Sequence, residues 1–73
     1  MTTSQIVRER ALALASAGAS SAVAIEDLET CCGGRRVAVV RARQELSSSD
    51  EGTPTEIERA VEFLDAVLQR LPA

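Results

Sequence analysis

The chain contains no histidine, lysine, tyrosine or tryptophan, and Phe63 is its only aromatic residue. These absences remove the commonest general base, the Schiff-base amine and the aromatic platforms on which nucleic-acid bases stack. Cys31 and Cys32 are the only cysteines, and two adjacent cysteines without histidine cannot complete a zinc site. The sequence therefore predicts a protein that is not an enzyme and that holds no cofactor or metal.

Long apolar runs are also missing. No stretch approaches the ~20 apolar residues that cross a bilayer. The small apolar segment 11–19 follows the mixed-charge cluster 8–10 rather than the basic region of a signal peptide. We therefore expect neither a signal peptide nor a membrane span, and we expect a cytoplasmic protein whose thiols are reduced.

The 73 residues suffice for one domain, and their composition favours helices. The only β-branched run, 37–40, lies within a segment rich in arginine, alanine, leucine and other helix formers. The sequence predicts an all-α fold: a single domain over 1–73, built as a small bundle of four helices without a sheet. The predicted helices are about 3–17, 21–32, 34–47 and 54–71, with a flexible loop at 47–52.

Capping residues set several of these boundaries. Thr2 with Gln5, and Thr53 with Glu56, have the spacing of a capping box, in which the two side chains satisfy N–H groups at a helix start. Gly33 is placed to end the second helix in a left-handed conformation.

The third predicted helix is apolar on two sides. Val39 and Leu46 belong to one side, whereas Val37 and Val40 belong to another. The fourth predicted helix carries a continuous apolar stripe. Because so short a chain cannot shield all of this surface, we expect another protein or a second copy to cover the excess. The residues predicted to form this partner interface are Val37, Val40, Leu64, Leu68 and Leu71.

Charge is distributed unevenly along the chain. Segment 33–46 contains four of the eight arginines and one glutamate, whereas the segments on either side of it are net acidic. A basic helix between acidic ones either neutralises its neighbours or is presented to an anionic partner.

Two amphipathic helices joined by a glycine turn are predicted within the 22 residues 25–46. The residues that define the pattern are Ile25, Leu28 and Cys32 in the first helix, Gly33 in the turn and Val39 as the buried anchor of the second. This pattern resembles the helix-turn-helix unit of bacterial transcriptional regulators. The resemblance implies that the second helix contacts DNA through arginines, which here are Arg35, Arg36, Arg41 and Arg43.

Two functions remain open at this point. The first is a non-catalytic helical protein–protein interaction module, such as an adaptor, regulator or inhibitor, that forms a homodimer or docks a partner through apolar helix faces. The alternative is a small DNA-binding transcriptional regulator that uses the arginine-rich third helix. Neither function involves a membrane or a small-molecule substrate. Arginines capped by Glu26, Glu29 or Glu62 would favour the first function, and four arginines exposed on one convex face would favour the second.

Overall fold

Four helices account for most of the computed structural model, which describes residues 2–48 and 52–72. They are α1 (Thr3–Ser16), α2 (Ser21–Cys32), α3 (Arg36–Ser47) and α4 (Pro54–Arg70). These ranges contain no strand, so the predicted all-α bundle is confirmed. Part of the predicted flexible loop, residues 49–51, lies outside the described residues.

Hydroxyl side chains cap the starts of three helices. The Thr2 and Thr53 hydroxyls accept hydrogen bonds from the backbone N–H groups of Gln5 and Glu56, at 3.3 and 3.2 Å, and both predicted capping boxes are complete. Ser20 caps α2 in the same way. Each cap satisfies backbone donors that lack a partner inside the helix.

The start of α3 differs from the prediction. Gly33 and Gly34 both have positive φ, at 59° and 78°, so the helix begins two residues later than predicted. Arg35 occupies the N-cap position and makes no side-chain cap hydrogen bond. Of the four helices, α3 is therefore the one whose start has no capping side chain.

The capping box of α4 leads to a pH-dependent prediction. The nearby hydroxyl of Ser16 and the hydroxyl of Thr53, which donates a 3.0 Å hydrogen bond to the carboxylate of Glu56, hold the pKa of Glu56 below its ordinary value. Because the folded-state pKa is lowered, this stabilisation is present above the ordinary glutamate pKa and is lost as pH falls through the folded value. We expect Glu56→Gln to reduce the loss of unfolding free energy on acidification, measured by urea unfolding between about pH 7 and pH 3. Equal pH slopes in Glu56→Gln and in the exposed-site control Glu58→Gln would contradict this.

Neighbouring helices form two antiparallel hairpins. In the first, the Arg10 guanidinium on α1 donates to both carboxylate oxygens of Asp27 on α2, at 3.0 and 3.2 Å. In the second, Arg43 on α3 pairs with Asp65 on α4.

Across the hairpins, α1 and α3 run in the same direction, because their starts line one cleft and Arg8 pairs with Glu45 further along. The helices α2 and α4 also run in the same direction, since Arg59 donates to the carbonyl oxygen of Ala19 and Arg70 pairs with Glu29.

The first and last helices lie at the centre of the bundle. Both α1 and α4 pack on all the other helices, whereas α2 and α3 scarcely contact one another. Small and aliphatic side chains, together with Phe63, fill the interior. The largest fully buried ones are Leu28, Leu46, Leu64, Val7, Val39, Val67 and Cys32. Consequently α2 and α3 flank the α1–α4 pair, and each has one side turned to solvent.

Candidate functional site

The solvent side of α3 combines exposed valines with a cation. We call Val37, Val40, Arg41 and Gln44 the α3 outer face. All four are exposed, and Val37 and Val40 keep 77% and 36% of their accessible area. At 100° per residue these positions span about a third of the helix circumference. The second apolar side predicted for this helix therefore lies on the surface of the chain.

The five residues predicted to form a partner interface do not share one surface. Val37 and Val40 are exposed, but Leu64 has no exposed area and belongs to the core. The prediction is therefore wrong for Leu64, because that part of the α4 stripe is already covered by this chain's own helices. Leu68 and Leu71 are half-buried and pack against the same core.

The four arginines singled out in the sequence also separate into two pairs. The first pair joins α3 to α4: Arg43 binds Asp65, and Arg36 donates a 2.9 Å hydrogen bond to the carbonyl oxygen of Leu68. Their partners are thus on the facing side of α4, rather than the glutamates named from the sequence. These two arginines link α3 to α4, although Arg36 remains exposed.

The second pair, Arg35 and Arg41, is exposed and has no carboxylate partner among the described residues. Both line a cleft of about 450 Å³ between the starts of α1 and α3, opposite the polar residues Thr2, Thr3 and Ser4. The first turn of α3 also lacks a carboxylate, so the positive end of its helix dipole adds to the two guanidinium charges. This end of the bundle is suited to an anionic group of a partner.

The resemblance of residues 25–46 to a helix-turn-helix unit stays a prediction. In such a unit the two helices cross a short turn and the second lies in the major groove. Here the two helices are joined by the short turn 33–35, contact each other little, and pack mainly on α1 and α4. Residues 25–46 therefore form two separate flanks of one bundle.

A second exposed face, which sequence analysis missed, lies on α2. We call Ala22, Val23, Glu26 and Thr30 the α2 outer face; all four are exposed, and Val23 keeps 56% of its accessible area. Glu26 has no cation partner in the part of the chain that the structure describes. The sequence feature that could have indicated the α2 outer face is an isolated valine one turn before a glutamate, on the side of α2 opposite its apolar stripe.

The two cysteines are parts of the packing. Cys32 is buried, and its thiol donates to the carbonyl oxygen of Glu29 at 3.4 Å. Cys31 is half-buried in a cleft of about 480 Å³ between α1 and α2. Burial raises the pKa of the Cys31 thiol, although Arg10 acts in the opposite direction. A raised pKa disfavours the thiolate, which is the nucleophilic form of cysteine.

Comparison of the chain with protein-family models, curated proteins and solved structures finds no significant match in any of the three. None of the described helices is long and apolar enough to span a membrane. Function must therefore be inferred from the exposure, charge and packing of this chain's own residues.

Proposed function

We propose that the protein is a non-catalytic interaction module that binds another protein through the α3 outer face. The observation that supports this most is the exposure of Val37, at 77%, beside Val40 and Arg41 on the same helix face. Single exposed apolar residues are ordinary on protein surfaces. A valine pair flanked by arginine is closer to the composition of interface centres, in which apolar residues and arginine are enriched.

The opposite side of α3 is already packed on the bundle before any partner binds. Arg36 and Arg43 fix α3 to α4, and Val39 and Leu46 anchor its inner side in the core. A surface that is already ordered loses less conformational entropy on association. Full burial of an exposed valine is worth about 1.5–3 kcal/mol, and most of the gain here comes from Val37, because Val40 keeps only 36% of its accessible area.

The charges of the face indicate the chemistry of the partner. Arg35 and Arg41 lack carboxylate partners within the described ranges, although the whole chain has a net charge of −3. A partner that places carboxylates beside an apolar side chain would complement them. We therefore propose an acidic, partly apolar protein surface as the ligand class, for a protein that acts in the cytoplasm.

DNA binding is the second candidate function. The observation that favours it is the exposure of Arg35 and Arg41, which line the same cleft. Among residues 2–48 and 52–72, only these two of the four candidate arginines have a side chain without an intrachain partner, and the acidic chain as a whole repels phosphates. Duplex binding at about 50 mM salt that is lost in Arg35→Ala/Arg41→Ala, and that weakens steeply with added salt, would support this candidate instead.

Site-specific photocrosslinking tests the interaction module. A benzophenone amino acid replaces Val37, or Ala13 as a matched exposed position on α1, in cells of the source organism. We expect the position-37 variant to form a discrete protein adduct, identified by mass spectrometry, because Val37 lies at the centre of the proposed interface. The adduct should decrease about tenfold or more when Arg41→Glu is added, since the substitution places like charges together. Equal crosslinking from positions 37 and 13 would contradict the proposal.

A further inference from the structure

The chain carries, on α2, a surface complementary to its own α3 outer face. Val23 and Glu26 lie one helical turn apart, as do Val37 and Arg41. Residues three or four apart on a helix present side chains about 5–6 Å from each other, so the two apolar–charged pairs match in spacing and oppose in charge. The other acidic residues of α2 are already neutralised by intrachain arginines: Asp27 pairs with Arg10, and Glu29 with Arg70.

We propose that the occupant of the α3 outer face is the α2 outer face of a second copy of this chain. Val23 of one copy packs between Val37 and Val40 of the next, and Glu26 pairs with Arg41. The inference rests on the proposed function, because it names the partner of the same docking face.

Other surfaces of the chain fit the α3 outer face less well. On α1, Ile6 keeps 42% of its accessible area beside the exposed Glu9, but both residues line the cleft between α1 and α2 rather than an outward helix face. On α4, Glu58 and Glu62 are exposed without a strongly exposed apolar neighbour in the described part of the helix. Two α3 outer faces packed together would bring arginine against arginine.

The position of the two faces determines the kind of assembly. Because α2 and α3 flank the central α1–α4 pair, the complementary faces lie on different sides of the bundle. Such a contact is heterologous, because it joins two different surfaces. A copy that binds through its α3 outer face still has its α2 outer face free to bind a further copy. The product is a ring or an open chain of copies rather than the two-fold homodimer expected from the sequence.

Charge reversal with complementation is the decisive experiment. Arg41→Glu and Glu26→Arg are purified separately and examined by sedimentation velocity over a concentration series, beside the wild type. We expect the wild type to associate reversibly and each variant to associate at least about tenfold more weakly. A 1:1 mixture should recover association, because Arg41 of the Glu26→Arg protein can meet Glu26 of the Arg41→Glu protein. Recovery also shows that both variants are folded.

Glu9→Arg is the matched control, since it reverses an exposed carboxylate on α1 and should leave association unchanged. Weakening by Arg41→Glu but not by Glu26→Arg would overturn the α2 contact and leave the α3 docking face standing. A wild type that stays monomeric up to about 1 mM would overturn self-association. In that case, a position-37 adduct with a different protein would still support the interaction module, whereas no adduct would contradict both proposals.

Discussion

Leu64→Ala is expected to lower the free energy of unfolding by about 3 kcal/mol. The Leu64 side chain has no exposed area and lies in the core formed by all four helices. Truncation removes its transfer free energy and leaves a cavity that close-packed helices fill only in part. A domain of this size is stable by only about 4–11 kcal/mol, so the loss is a large fraction of the total. Thermal unfolding followed by circular dichroism should show a midpoint lower by about 12 °C or more.

Leu68→Ala is the matched control on the same helix. Leu68 is half-buried at the edge of the core, so we expect the same truncation there to cost clearly less. Equal losses of unfolding free energy at the two positions would show that Leu64 is no more deeply buried than Leu68. The comparison also separates folding from binding, because both residues were predicted from the sequence to contact a partner.

Ala60→Leu is expected to destabilise the bundle by about 2–3 kcal/mol. Ala60 is fully buried on the central helix α4, and the equally buried Ala11 and Ala42 lie on α1 and α3. Alanine allows two helix backbones to approach closely, so a larger side chain must push α4 away or adopt a strained rotamer. Urea unfolding measures the loss. Ala13→Leu makes the same change at an exposed position on α1 and should alter stability by less than about 0.5 kcal/mol.

Local sequence signals were sufficient for the helices. The Thr53–Glu56 capping box and a stripe of apolar residues predicted α4 at 54–71, and the observed helix ends one residue earlier. The error at the start of α3 came from the adjacent glycines. A single glycine ends a helix, but two in succession leave open which one begins the next element, and here both are left-handed.

The site was less accessible to sequence reasoning, because ion-pair partners and burial depend on which helices are adjacent. The pattern of α3 indicated two apolar sides, and Val37 and Val40 are exposed. The pairing of Arg43 with Asp65 could not be read from the sequence, since it requires α3 and α4 to be antiparallel neighbours. The α2 outer face was missed for the same reason: whether Val23 is covered depends on packing between distant segments.

The central position of α1 and α4 has a consequence for how the protein unfolds. Each antiparallel hairpin supplies one of these two helices, so neither hairpin contains a complete interior of its own. If either end of the chain detaches, it removes half of the central pair and exposes the inner sides of both flanks. We therefore expect unfolding to be a single cooperative event without a populated half-folded species.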